Sequence, residues 1–404
     1  MLFRSPAEFV QHVQTLRHPF DIPMPLDEAN MQSISFILAN SPAKVARHRS
    51  ETLKYYMERA KALHEDERQL HRKLDPAIQP VLQSKRLLLF KEMLRDAGVV
   101  DQALFEEVCA GFRLVGDLSP SGQFPSQWKP AAVGVEQLQQ TALWAQRAVV
   151  GSCRRVLEDA EIANAVWQET MEQAAPDKRW VIGPFTAEEV TRKHGPHWVP
   201  SRRFGVRQSG KIRSVDDFSQ YLINATVSCH EKIDLEGIDH ICATSRFFLG
   251  AMRNRSSWSI PTADSVESGP IASEWCSPGA RDLLGRCLDL KQAYKQLVRH
   301  PCDAWAAILA VANPEDSTVC FFETVALPFG SISSVLAFNR AARALRMILT
   351  RLFKLVVTNF FDDFCQMELA PLASSAWKTA ELVLELLGWR ISMGEEKRRS
   401  EEHT

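Results

Sequence analysis

The most constraining stretch of this 404-residue chain is Val356-Val357-Thr358-Asn359-Phe360-Phe361-Asp362-Asp363-Phe364-Cys365-Gln366-Met367. Two adjacent aspartates sit between apolar, β-prone arms, Leu355 to Phe361 and Phe364 to Met367. That pattern predicts a β-hairpin with both carboxylates at its tip. Side-by-side carboxylates among Phe and Val are costly unless a positive charge neutralises them. A hard divalent cation such as Mg²⁺ does this well through carboxylate oxygens. Taken alone, the stretch also fits a solvated Asp-Asp turn.

The chain is long enough for two or three domains and a sizeable core. Its 45% apolar and 24% charged content is that of an ordinary globular protein. The nine cysteines are scattered without a C-x-x-C pair, which indicates neither a zinc module nor a disulfide framework and fits a reducing compartment. Met1 to Phe9 lacks the apolar core of a signal peptide, and no run reaches transmembrane length. The expectation is a cytoplasmic or nuclear protein with no membrane partner. A net charge of −1 gives no global support to nucleic-acid binding, so any basic surface must be local.

Residues 1 to 175 read as a helical N-terminal region without identifiable chemistry. From Lys44 to Leu74 the chain is densely charged, with Leu53, Tyr56, Ala60, Leu63, Leu70 and Leu74 at helix-compatible spacing. This predicts a long amphipathic helix, with Val81 to Ala97 as an antiparallel partner closed by Gly98. Self-association through residues 44–97 is the alternative to a solvated helix. Asp101 to Ala110 reads as a short helix, Leu118 to Pro130 as a linker or ordered loop, and Val135 to Gln173 as helical again.

The character changes near Pro176. Thr186-Ala187-Glu188-Glu189 is a capping box. Val190 to Val215 holds no acidic residue but carries Arg192, Lys193, Arg202, Arg203, Arg207, Lys211 and Arg213, with Trp198 and Phe204 interleaved. Such a stretch suits a phosphate backbone and stacked bases, or else a basic surface loop. Gln208 to Lys211 reads as a hairpin turn. Ser256 to Arg281 is expected to be an irregular connection. Beyond it, a short strand ends at Asp289, and Lys291 to Leu297 turns into helix. Trp305 to Val311 pairs with Val319 to Ala326, and Ser334 to Lys354 is a long helix. The Asp-Asp hairpin follows, then a helix from Ser374 to Leu387 closed by Gly388. The order predicts an α+β fold with helices on one face of an antiparallel sheet.

In such a sheet Asp289 and Asp362 could lie on neighbouring strands, about 5 Å apart, and share cations. Two ions held this way would suit in-line nucleotidyl transfer, one activating the attacking 3′-hydroxyl and one holding the triphosphate.

Here the residues match a family. The segment from Trp180 to Arg399 resembles the fingers and palm of reverse transcriptases of the retrotransposon kind. Asp289-Leu290-Lys291-Gln292-Ala293-Tyr294 is similar to the first palm motif, and Leu327-Pro328-Phe329-Gly330 with Phe338 to the second. Phe360-Phe361-Asp362-Asp363 is similar to the third, and Leu386-Leu387-Gly388-Trp389 with Lys397 to the fourth. Lys211-Ile212-Arg213-Ser214-Val215-Asp216-Asp217-Phe218 with Asn224 resembles the fingers motif. Five motifs in the family's order over more than half the chain make the resemblance specific.

The resemblance implies the fingers (176–260) and palm (283–400) of a right-hand polymerase, here separated by the irregular connection (261–282) and preceded by the helical N-terminal region (1–175). It implies RNA-directed DNA polymerase activity on an RNA or DNA template with primer and deoxynucleoside triphosphates. Two Mg²⁺ ions, or Mn²⁺ in their place, would be held by Asp289, Asp362, Asp363 and the Leu290 carbonyl. Tyr294 would sit under the incoming sugar and exclude a 2′-hydroxyl, which disfavours the alternative of an RNA-templated RNA polymerase. Backbone amides near Gln292 and Ala293 would bind the triphosphate, Phe329 and Gly330 would pack near nucleotide and template, and Lys397 would neutralise the leaving pyrophosphate. Lys211 and Arg213 would contact phosphates, and Arg202, Arg203 and Arg207 would bind nucleic acid. Asp216 and Asp217 fit an orienting role better than a metal-binding one. The sequence departs from the family in Ser334-Val335 after the second motif and in having only Arg398 to Thr404 after Lys397. The family's thumb and RNase H regions are therefore without counterpart, and the alternative is a truncated or decayed copy that binds nucleic acid without polymerising.

Overall fold

The computed structural model describes residues 5–16, 26–208, 210–253, 256–261 and 266–392. Seven helices come first: α1 (Pro6–Thr15), α2 (Glu28–Ala39), α3 (Pro42–Ala62), α4 (His64–Lys73), α5 (Gln79–Leu82), α6 (Leu87–Asp96) and α7 (Leu104–Ala110). Then come β1 (Gly116–Leu118), β2 (Ser126–Lys129), α8 (Val135–Gln140), α9 (Ala142–Arg154) and α10 (Ala160–Ala174). The middle of the chain holds β3 (Val181–Phe185), α11 (Ala187–His194), β4 (Pro200–Gln208), β5 (Lys211–Asp217), β6 (Val227–Glu231), α12 (Ile238–Ala251), β7 (Ser257–Pro261) and β8 (Val266–Pro270). It ends with β9 (Leu283–Asp289), β10 (Ile308–Ala312), β11 (Val319–Thr324), α13 (Ile332–Phe353), β12 (Val356–Phe360), β13 (Asp363–Leu369) and α14 (Ala373–Leu386).

The chain is thus mixed helix and strand with several small sheets, compatible with the α+β expectation. The strands after Arg281 do not share one antiparallel sheet, however. β9 joins the carboxylate hairpin in a three-stranded sheet ordered β12-β13-β9. The β10–β11 hairpin instead lies in a five-stranded sheet ordered β3-β11-β10-β4-β5, where β10 runs parallel to β4. Its residues explain this: Ile308 to Ala312 are all buried, as suits the middle of a sheet covered on both faces.

Four further segments differ from expectation. Ser256 to Arg281 is not irregular throughout, because β7 and β8 pair there as a hairpin, with buried Trp258 and Ile260 facing Trp275 and α2 residues such as Ile34 and Ile37 in a second core. Leu118 to Pro130 supplies the end of β1 and all of β2, both of which pair with β6 about a hundred residues later. Lys291 to Leu297 forms only a 3-10 turn over Ala293–Gln296, entered through Gln292 in the left-handed region at φ 51°. The long N-terminal helix is broken at Leu63 into α3 and α4.

Several local readings hold. Thr186 and Glu189 form the reciprocal capping box at the start of α11. Gly98, Gly111 and Gly388 take positive φ just beyond α6, α7 and α14. At Gly388 any other residue would meet the Ser84 carbonyl, since a Cβ there would lie 1.9 Å from that oxygen.

One core runs from Tyr56 to Ile391 and includes residues of α3, α6, α7, α9, α13 and α14. Helix α13 is its axis and buries two arginines. Arg340 pairs with Asp101 at 2.7 Å, and Arg346 with Asp27 at 2.6 Å. Arg49 on α3 donates to Glu368 on β13 at 2.5 Å, with both side chains fully buried. In the five-stranded sheet, buried Glu323 receives Lys193 at 2.6 Å, His194 at 2.9 Å and Arg299.

Burial acts to raise the Glu323 pKa, but His194, Arg299 and Lys193 outweigh it and hold the carboxyl at about 2. A carboxyl depressed from 4.5 in the unfolded chain contributes stability above that value and loses it as pH falls toward 2. Denaturant melts should therefore show acid destabilisation between about pH 5 and 2, with this residue accounting for roughly 3 kcal/mol. Glu323→Gln should be less stable at pH 7 and should flatten that part of the profile; an unchanged slope would remove Glu323 as its source.

Candidate active site

The site starts from strand pairing. Phe360 pairs with Asp363, leaving Phe361 and Asp362 as a two-residue turn, with Phe361 at φ 50°. Hairpin turns of this length require such left-handed residues to match the strand twist. β13 then pairs antiparallel with β9, and the register places Asp363 directly opposite Asp289. The turn is tied to the same place, since the Leu290 N–H donates to the Asp362 carbonyl at 3.2 Å. All three aspartates, read from sequence as one group, are therefore brought together, each half-buried.

Behind the opposed carboxylates stands a pair of thiols. Cys287 lies opposite Cys365 in the same register, and their sulfurs are 3.8 Å apart. The Cys287 thiol also donates to Asp363 Oδ1 at 3.4 Å.

β12 is the outer strand, and side chains from distant segments complete it. The Asn30 amide donates to the Val357 carbonyl and accepts from its N–H, both at 3.0 Å. Two residues on, the Asn359 N–H donates to Glu236 Oε2 at 2.9 Å, and the Glu236 N–H donates to the Asn359 carbonyl at 3.2 Å. Sequence reasoning named neither Asn30 nor Glu236, and a partner 327 positions away leaves no local signal.

Tyr294 is half-buried, its ring 4.8 Å from Phe338 and meeting Phe329 edge-on at 5.7 Å. Burial and the neighbouring Asp362 charge push its phenol up to about 12, so it stays protonated. Phe329 is 55% exposed, an unusual place for a large aromatic ring. Gly330 follows at φ 100°, and a Cβ there would lie 2.1 Å from the Asp216 carbonyl oxygen. Asn224 clamps this loop: its amide donates to the Gly330 carbonyl at 3.0 Å and accepts from the Ile332 N–H at 2.9 Å. Contacts thus link the end of β5 through Gly330 and Phe329 to Tyr294, whose phenol feels the Asp362 charge.

The remaining expected site residues are spread more widely. Leu290 is buried and bridges to Ile391, Gln292 holds the left-handed turn, and Ala293 is buried below it. Lys211 and Arg213 are exposed on β5, the outer strand of the five-stranded sheet. Lys397 lies outside the described residues, as does Ser209 of the expected turn.

Of the three arginines expected to bind nucleic acid, Arg203 does not present itself to a ligand. It is 2% exposed, forks onto Asp216 at 2.6 and 3.1 Å, and donates to Thr170 and Gln173. Arg202 stacks over the Phe204 ring, and Arg207 is exposed but paired with Asp159 and Glu161. Asp216 and Asp217 serve as orienting groups: Asp217 caps the Ser219 and Gln220 N–H groups while Asp216 holds Arg203.

Among the described residues no group of three His, Cys, Asp or Glu is already assembled to hold a metal ion, and no helix is long and apolar enough to cross a membrane. Compared with known proteins, the chain matches no family model and no curated protein.

The clamp on the 327–332 loop can be broken from either side. Asn224→Ala should cost about 1–3 kcal/mol by removing partners from the Gly330 carbonyl and the Ile332 N–H. Gly330→Ala should cost at least as much, because the positive φ and the Asp216 contact are both incompatible with a Cβ. Thermal melting measures both, and neutral effects would mean that the loop is held by something else.

Proposed function

We propose that the chain is a template-directed nucleotidyltransferase of reverse-transcriptase type, adding deoxynucleotides to a primer 3′ end on an RNA or DNA template. The observation that carries this reading is the register placing Asp363 opposite Asp289, with Asp362 at the adjoining turn. In this reading the β12-β13-β9 sheet is the palm, and the β4–β5 hairpin belongs to the fingers.

The donor set fits a magnesium-type cation. Mg²⁺ is ordinarily held by one or two carboxylates with water and substrate phosphates, not by an all-protein cage, so opposed carboxylates suffice without a third ligand in place. Asp289, Asp362 and Asp363 would hold two such ions, which supply a more acidic primer hydroxyl and charge neutralisation at the triphosphate when bound.

The chain's own residues do the positioning. Tyr294 stays protonated and presents a ring braced by Phe338 and Phe329, a surface that excludes a ribose 2′-hydroxyl by bulk. Exposed Phe329 offers an apolar face to a base. Lys211 and Arg213, free of burial, supply charge for phosphates, Arg213 through its planar fork.

Primer extension on an RNA template with deoxynucleotides and Mg²⁺ tests the proposal. Asp362→Ala should lower extension by about a hundredfold or more, the scale of several kcal/mol of metal-assisted charge stabilisation. Equal extension by both proteins would overturn the assignment of the site. Absence of extension by either, with both folded, would favour a protein that binds nucleic acid without polymerising it. Tyr294→Ala should incorporate ribonucleotides more readily relative to deoxynucleotides; unchanged selectivity in an active enzyme would sink the role given to the ring.

A further inference from the structure

One sizeable cavity lies away from the carboxylates. It is an open pocket of about 800 Å³ between the α3–α6 segment and the turn before β3. That volume is ample for a small charged ligand. Its lining among the described residues carries five cations, Arg68, Arg72, Lys85, Arg86 and Arg179, against a single carboxylate, Glu67.

That carboxylate is already committed. Glu67 accepts from the Leu87 and Leu88 N–H groups at 2.5 and 2.9 Å, capping the start of α6, and lies 3.4 Å from His71. The cations have little to neutralise them. Arg72 and Arg179 are exposed and make no ion pair among the described residues. Arg86 donates to the Leu386 carbonyl at 2.6 Å, and Arg68 to Glu65 at 3.0 Å on the solvent side. Lys85 is 5% exposed, yet its ammonium meets only neutral acceptors, Gln296 Oε1 at 3.0 Å and the Gly388 carbonyl at 3.1 Å, beneath the Trp389 ring.

Burial, reinforced by Arg390, drives the Lys85 pKa well below the usual lysine value. Arg179 holds a left-handed backbone at φ 48°, a conformation that non-glycine residues adopt mainly where the surroundings impose it. Like charges gathered in this way repel, and a bound polyanion would relieve them. Arginine forks match phosphate oxygens in pairs, which favours clustered phosphates over a lone carboxylate.

We propose that this pocket is a binding site for clustered phosphate groups, gripped by Arg72, Arg86 and Arg179 over a floor made by Lys85. The phosphates belong either to a nucleic-acid strand or to a free polyphosphate, which present the same chemistry. The site does not depend on the reading of the carboxylate hairpin. It does adjoin the same framework, because Gln296 joins Lys85 to the Lys291 and Arg390 carbonyls, and Lys291 follows two residues after Asp289.

The test is equilibrium binding without divalent metal at fixed salt. The probes are inorganic tripolyphosphate and a labelled single-stranded oligonucleotide. The proteins are wild type, Arg72→Glu/Arg179→Glu and Asp362→Ala. The substituted arginines are exposed, and circular dichroism melts verify that each variant is folded. Tripolyphosphate should bind wild type and Asp362→Ala alike and bind the double variant at least tenfold more weakly. A parallel loss for the oligonucleotide identifies a strand as the ligand, and an unaffected oligonucleotide identifies a free polyphosphate. No tripolyphosphate binding by wild type, equal binding by the double variant, or a loss in Asp362→Ala as large as in the double variant would each overturn the proposal.

Discussion

The antiparallel register between β9 and β13 is the constraint on which the candidate site depends. Seven consecutive pairs run from Asp363 opposite Asp289 to Leu369 opposite Leu283. Side chains alternate along this ladder, so Leu288 and Phe364 are buried in the core while Cys287, Cys365, Asp289 and Asp363 share the other face. A slip of one residue would set Asp363 against Leu288 or Leu290 and send the carboxylates to opposite faces. What forbids the slip is burial: the strand that turned over would take its own core residue, Phe364 or Leu288, out of the core. The apolar neighbours thus fix where the charges stand.

How much of this was legible depended on how local each interaction is. The Asp-Asp hairpin could be read because β-prone arms and a two-residue turn lie within a dozen positions. The capping box at Thr186 and the glycine stops at Gly98, Gly111 and Gly388 were local in the same way. The β1–β6 and β2–β6 pairs join residues about a hundred positions apart, and Leu118 to Pro130 has the composition of a loop, so nothing near it announces a strand. In the β7–β8 hairpin the alternation of Trp258 and Ile260 with serines is a strand signal, but it is masked by the Ser, Pro and Gly content of Ser256 to Arg281. β10 and β11 read correctly as a hairpin but sit with β4 and β3, since adjacency in sequence does not choose the sheet.

Arg203 shows a signal that was present but unused. The turn at residues 209 and 210 was expected, and counting outward from it sets Arg203 opposite Asp216. An arginine facing an aspartate across a hairpin, on the face that alternates with partly exposed Arg202 and Phe204, is a buried ion pair and not a phosphate ligand. The basic run from Val190 to Val215 therefore divides by strand parity: Arg203 builds the sheet, while Lys211 and Arg213 remain on its outside. Charge composition alone could not make that division; strand geometry does.

The N-terminal helices take part in the same device. An outer strand such as β12 exposes N–H and C=O groups that invite pairing with other chains. Here Asn30 satisfies both groups of Val357, and Glu236 those of Asn359, each side chain or backbone standing in for a neighbouring strand. On the inner strand Arg49 reaches the buried Glu368, and removal of either partner would strand a charge in the core at a cost of roughly 3–5 kcal/mol. Burial raises the Glu368 pKa despite Arg49, which marks the pair as a geometric lock more than a source of net stability. The carboxylate turn is therefore held from outside by segments more than a hundred and more than three hundred residues away, not by its own hairpin alone. A fragment beginning near Leu283 would keep the aspartates and lose the groups that cover their edge. Its outer strand would be free to pair with a second copy, so the geometry of the site belongs to the whole chain and not to the motif.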